Sequence, residues 1–142
     1  MLNFTEEIRK QSPFINLLGL SIIKLEHGHC QSLLEIKDSF LNKHKFVHGG
    51  IIYSLADISM GVTVYSVINK DEETSTIEIK INYLKPVIER ILTCDAHMIQ
   101  KGKNVAVLEA EIKADDILVA KALGTFSIFK SKRGNDLGNT ES

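Results

Sequence analysis

One stretch of this chain, residues 48–67, repeats its apolar positions at the spacing of a long helix, and after it the period drops to two and stays there to about residue 129. In Thr76-Ile77-Glu78-Ile79-Lys80-Ile81-Asn82-Tyr83 the residues Ile77, Ile79, Ile81 and Tyr83 share one face, and Pro86 closes the strand. A second strand covers 88–100, and Lys101-Gly102-Lys103-Asn104 turns it into a third that carries Ala106, Leu108, Ala110 and Ile112 on one side. Asp115-Asp116 makes the next turn, and strand 117–129 is apolar on both faces, which suggests a central or doubly covered position. Ahead of the helix, 20–25 and 30–37 form a hairpin about His27-Gly28, and 38–46 is a polar loop. Thr5 caps a short helix over 6–10, an amphipathic lid or brace that Ser12-Pro13 stops before Phe14-Ile15 enters the fold. Six antiparallel strands must then bury their apolar faces on a single helix of about 20 residues, roughly 30 Å long. The fold class is α+β, one sheet wrapped around one helix.

With 142 residues, 44% of them hydrophobic, the chain has the length of one domain, placed at 1–130 with 1–13 as its N-terminal helix or lid. From residue 131 the tail has almost nothing to bury, and 131–142 is expected to be disordered. Seventeen basic and eighteen acidic residues leave a net charge of -1, so no global field draws in nucleic acid or an anionic membrane. Any phosphate must be recognised locally. Two cysteines, Cys30 and Cys94, in no CxxC spacing suit free buried thiols in a reducing compartment. The N-terminus lacks a basic start followed by an apolar run, and no run of about 18 uncharged apolar residues occurs, so a cytoplasmic location is expected. His27, His29, His44 and His97 have neither the spacing nor the carboxylate company of a metal site and read as surface or turn residues.

The helix itself carries an anomaly. Asp57 sits between Leu55-Ala56 and Ile58, although Asp is a poor residue for a helix interior and burying it unpaired is costly. Steps of three and four put Gly50, Ser54, Asp57 and Gly61 on one small, polar stripe beside an apolar stripe of Ile51, Leu55, Ile58 and Val62. Such a stripe leaves room for something slim, a narrow ligand or another backbone.

The opening His48-Gly49-Gly50, Asp57 nine residues after the histidine, Tyr83-Leu84-Lys85-Pro86, Lys101-Gly102-Lys103 and the run Leu118-Val119-Ala120-Lys121-Ala122-Leu123-Gly124-Thr125-Phe126 together resemble the PaaI-type hotdog thioesterases over residues 14–129. The resemblance implies a hotdog fold, a homodimer whose sheets join edge to edge, pairing of dimers into a homotetramer, and hydrolysis of acyl-CoA thioesters. CoA belongs to the substrate, and no cofactor is expected. The resemblance also marks Asn42, which would help hold the water or the thioester, and Thr76, which would set a hydroxyl near the active carboxylate. At Lys45 the chain departs from it, because relatives commonly have a glycine in that loop.

Each residue can be given a task. The N–H of Gly49 at a helix N-terminus suits an oxyanion, and Asp57 either activates a water or attacks the carbonyl itself. His48 positions the turn or the carbonyl. Tyr83 would line the pantetheine path, while Lys85, Lys101, Gly102 and Lys103, at a strand end and a turn, would grip the nucleotide phosphates. Nine helical residues hold His48 and Asp57 roughly 13 Å apart, so if both serve one reaction the carboxylate must meet the His-Gly turn of a second subunit. The acyl pocket would draw on Phe14, Phe46, Tyr53 and Met60. Two other functions fit the fold: a non-catalytic acyl-CoA sensor, and a hydratase, for which the loop before the helix lacks a His with an acidic partner.

Overall fold

The computed structural model describes residues 2–131. In chain order it has helices α1 (Leu2–Gln11) and α2 (Pro13–Leu18), the hairpin β1 (Ser21–Glu26) and β2 (His29–Glu35), a 3-10 turn at Asp38–Phe40, and the long helix α3 (Gly49–Tyr65). Four strands complete it: β3 (Glu72–Tyr83), β4 (Ile91–Lys101), β5 (Val105–Ala114) and β6 (Ile117–Lys130). All six strands pair antiparallel in the order β1-β2-β4-β5-β6-β3, and the sheet curls around α3 as a hotdog fold. The hairpin turns at Gly28, whose φ of 82° is left-handed, and Asp115 and Asp116 are both left-handed at the β5–β6 turn. No helix among the described residues is long and apolar enough to cross a membrane. Apart from Ser131, the expected disordered tail lies outside the described residues.

The chain start differs from expectation. Thr5 is no cap; it lies buried inside α1, where its hydroxyl oxygen accepts from Ile22 N–H at 3.0 Å and donates to Ile22 C=O at 3.4 Å. Ser12-Pro13 both ends α1 and begins α2: Ser12 Oγ accepts from Ile15 N–H at 3.2 Å, and the fixed φ of Pro13 suits the first helical position. Phe14 therefore stays half exposed on a helix instead of entering the core.

The buried face of α3 is also rotated from the expected stripe. Leu55 and Val62 are buried, but Ile51 and Ile58 are only partly so, and the inner face runs through Ile52, Ala56, Ser59, Met60 and Thr63. Ser59 and Thr63 are admitted because they are bonded, Ser59 Oγ to Ser32 Oγ at 2.6 Å and Thr63 Oγ1 to Ser59 C=O at 2.8 Å. Hydrophobicity alone could not see this. A Cβ on Gly124 of β6 would come within 3.1 Å of Met60, so glycine there lets β6 approach the Met60 side chain of α3. β6 lies inside the sheet between β5 and β3, as its double-sided apolar pattern suggests. A bulge between Thr76 and Glu78 takes Ile77 out of the expected alternation of β3, and β3 begins at Glu72, before the apolar residues that announce it. Cys30 and Cys94 are free and buried, and desolvation pushes both thiols up to about 12.

Candidate active site

Two polar constellations stand along the exposed side of α3. The first is its N-terminal turn. His48 is the cap residue, with extended backbone, and its Nδ1 accepts the Gly50 N–H at 2.8 Å. That bond places the ring proton on Nε2. Among the described residues the Gly49 N–H donates to no partner, one of the orphan donors every helix start leaves. Tyr83, the last residue of β3, donates its hydroxyl to Gly49 C=O at 2.9 Å and lays its ring on the glycine, where a Cβ would stand 3.2 Å from Cζ. Burial first, and then the nearby Tyr53, raise the Tyr83 phenol above its ordinary value, so it acts as a donor.

Asn42 organises the loop before the helix. Its Oδ1 accepts from the N–H groups of His44 at 2.8 Å and Phe46 at 3.1 Å, and its backbone N–H donates to Phe46 C=O at 2.7 Å. The side-chain oxygen is thus spent on the loop, which leaves the amide N–H groups for any ligand. Lys45 closes that loop with a φ of 70°, the left-handed region that favours glycine. Asn42, Phe46, Gly49, Ile52, Tyr83 and Lys85 line a cavity of about 280 Å³.

The second constellation is Asp57, whose Oδ1 accepts the Thr76 hydroxyl proton at 2.7 Å. Thr76 stands at the bulge of β3, where the extra residue reorients its neighbours. Asp57 and Thr76 line a second cavity, about 210 Å³, whose walls also include Ile15, Ile58, Gly61, Val62, Tyr65 and Phe126. Thr74 Oγ1, in the same wall, is the buried side-chain oxygen without a hydrogen-bond partner among the described residues. Nothing in the sequence marks it, since Thr is an ordinary strand residue. Eight residues of helix separate Asp57 from Gly49, about 12 Å, so one protomer does not bring the carboxylate to the free N–H.

The remaining expected site residues are scattered. Lys101, Gly102 and Lys103 stand together at the β4–β5 turn, but Lys85 is not with them. Its N–H reaches Val119 C=O near the start of β6, whereas Lys101 pairs with Ala106, which pairs with Phe126. Seven strand residues, about 23 Å, lie between those levels, so the three lysines form no cluster within one protomer. Of the expected acyl-pocket residues, Met60 is wholly buried in the core and Phe46 lines the cavity at Gly49.

The reading of the histidines also needs correction. Antiparallel pairing of β2 with β4 sets His29 opposite His97, their rings stacked at 4.3 Å, and brings His29 Nε2 to 2.9 Å from Asp95 Oδ1. His29, Asp95 and His97 offer ligand atoms within 4.8 Å of one another and could hold a divalent cation. The spacing of 66 residues hid this, because only strand pairing creates it. Counted along the sheet, His29 on β2 lies four strands from β3 and Asp95 and His97 on β4 lie three, roughly 19 and 14 Å, so the group takes no part in the site at Asp57 within one protomer.

The sequence pattern of the thioesterase superfamily matches residues 44–121. A Saccharolobus solfataricus protein to which an esterase activity is ascribed is 36% identical over 129 residues, covering 89% of this chain and 91% of that protein. The medium/long-chain acyl-CoA thioesterase YigI of Salmonella typhimurium is 26% identical over 132 residues, covering 82% and 85%. Among solved structures, the PaaI protein of the Escherichia coli phenylacetic acid degradation operon superposes with a TM-score of 0.81 at 23% identity, covering 89% of this chain and 91% of that one.

Proposed function

This chain belongs to the thioesterase superfamily, whose general activity is thioester hydrolysis, and we propose that its own substrate is an acyl-CoA, cleaved between two copies of the chain. The observation that carries the reading is the carboxylate of Asp57, held by a hydroxyl in the wall of a mainly apolar cavity and on the same helix as an unpaired N–H. In the proposed reaction the thioester oxygen lies against Gly49 N–H, which stabilises the negative charge that develops there. His48 keeps Gly50 N–H occupied and so fixes the shape of the turn. Asp57, oriented by Thr76, takes a proton from water as the oxygen attacks the carbonyl carbon; the C–S bond then breaks, and the CoA thiolate leaves and takes up that proton. In the alternative route Asp57 attacks the carbonyl carbon and the CoA thiolate leaves, giving a mixed anhydride that water hydrolyses; one turnover in ¹⁸O-water leaves label in the Asp57 carboxyl where water attacks the aspartyl carbon.

The 12 Å between Gly49 and Asp57 makes the homodimer part of the proposal, with a second copy supplying the partner group, and pairing of dimers into a tetramer would build on it. Lys85, beside the cavity at Gly49, and the turn of Lys101, Gly102 and Lys103 would then approach the CoA phosphates from different places on the surface. Asn42 contributes its amide N–H groups and Tyr83 flanks the thioester arm. The test is thiol release from a panel of acyl- and aryl-CoAs by the wild type and by Asp57→Ala of confirmed oligomeric state. Release that falls at least a hundredfold in the variant is expected. Wild-type protein that binds these esters and releases no thiol would make the chain an acyl-CoA-binding protein instead.

A further inference from the structure

The cavity at Asp57 does not stop where its walls are first drawn. Ile15, Val62 and Tyr65 are shared with a larger space of about 540 Å³ beneath α1, lined also by the apolar Phe4 and Ile8 and, on its polar side, by Glu7, Gln11, Ser12 and Glu73. Each of the three shared residues comes from a helix, Ile15 from α2 and Val62 and Tyr65 from the last turns of α3, so the path runs under the N-terminal helices. Tyr65 donates its hydroxyl to Glu73 at 2.5 Å beside that path.

Gly61 is the residue that opens it. A glycine inside a helix costs about 1 kcal/mol relative to alanine, so its place in the last third of α3 needs a reason. Packing supplies none: a Cβ there would meet only Phe126 Cε2, at an ordinary 3.7 Å. Gly124, by contrast, is pressed on by Met60. What Gly61 keeps free is the cavity itself.

We propose that this path is the binding channel for a straight aliphatic acyl chain of about ten carbons, which threads from the thioester at Asp57 past Gly61 and under Ile15 to the space beneath α1. The inference rests on the thioesterase reading and extends it to the class of acyl group. Its length follows from the helix: Asp57 to Tyr65 is eight residues, about 12 Å. An extended chain gains about 1.2 Å per bond, by the 3.3–3.6 Å that three backbone bonds span, so about ten bonds cover the path. Ile15, Ile58, Val62 and Phe126, and then Phe4 and Ile8, reward each methylene that lies against them. In this arrangement α1 and α2 are the roof of the acyl channel.

The experiment measures kcat/KM for butanoyl-, decanoyl- and benzoyl-CoA with the wild type, Gly61→Leu and Ile8→Trp, each checked for secondary structure and oligomeric state. Gly61→Leu fills the passage, and Ile8→Trp fills the far space from a different helix, so either suffices if the other misfolds. In the wild type decanoyl-CoA should exceed butanoyl- and benzoyl-CoA at least tenfold, and each variant should lower the decanoyl-to-butanoyl ratio at least tenfold. A wild type that hydrolyses all three equally, prefers benzoyl-CoA, or keeps its ratio in both variants overturns the channel and leaves the thioesterase reading standing. A wild type that releases thiol from none of them, nor from the wider panel, overturns both.

Discussion

The two edges of the sheet are built in opposite ways. At one edge β1 is six residues long, broken by a bulge between Ile22 and Lys24, and sealed by α1: Thr5 bonds both backbone groups of Ile22, and Arg9 reaches Leu20 C=O, Gly19 C=O and Ser21 Oγ. At the other edge β3 runs twelve residues with no strand on its outer side among the described residues, and it carries Ile77 at 56% exposure. Edge strands invite pairing unless something blocks them, and here only one is blocked. The open edge also carries the residues of the proposed site, because Thr76, which holds Asp57, and Tyr83, which leans on Gly49, are both on β3. The open edge and the proposed site share a strand, so in the proposed dimer pairing two copies along β3 is the simplest way to bring one copy's Gly49 to the other's Asp57.

The largest expected effect comes from closing the open edge. Ile77→Lys puts a charge on β3 where a second copy would lie, while an exposed bulge position tolerates it in the monomer. Sedimentation should show a monomer, circular dichroism an intact fold, and thiol release should fall at least a hundredfold, the cost of losing an oxyanion donor or base. A monomer that keeps its activity would sever the seam from the site and break the comparison. Opening the sealed edge should do the reverse. Thr5→Val leaves the Ile22 N–H buried without its acceptor, which costs about 1–3 kcal/mol, read as a lower denaturation midpoint, with oligomeric state and kcat unchanged.

How much of this could be read from the residues follows the same division. The helix start, the odd carboxylate and the strand periods are local signals, so His48, Gly49, Asp57 and the order of helix and strands were legible. Thr76 was singled out through resemblance, and the structure adds the 2.7 Å bond. What escaped was whatever pairing across the sheet creates. His29, Asp95 and His97 meet only through the β2–β4 register, and Lys85 is parted from Lys101 and Lys103 only by where β3 and β4 end. Thr5 misleads for a related reason: a threonine near a helix start suggests a cap, and only the position of β1 shows that its hydroxyl serves a strand. Lys45 is the converse case, a departure visible in the sequence whose cost appears in the backbone as a φ of 70°. Lys45→Gly should relieve that strain and raise stability by up to about 1 kcal/mol in a denaturant melt.

The smallest effect belongs to the outer face beside the sealed edge. Burial by itself would raise the Asp95 carboxyl, but hydrogen bonds from His29 and Gln31 and the charges of His29 and His97 outweigh it and hold the group below its ordinary value. A carboxylate whose folded pKa is depressed adds stability at every pH above its unfolded value, near 3.9, and that contribution is lost as the pH falls through the folded value. Wild type should therefore lose more stability than Asp95→Asn on acidification from about pH 5 to pH 3. Because the side chain is 30% exposed, screening keeps the difference below about 1 kcal/mol. The Asp95→Asn change lies on β4, away from the open edge at β3, so wild type and variant should keep the same oligomeric state as each other at every pH. Equal acid profiles for the two proteins would mean that His29 and Gln31 are neighbours of Asp95 without stabilising its charge, and dissociation in step with the Asp95 titration would mean that the two edges are coupled through the sheet.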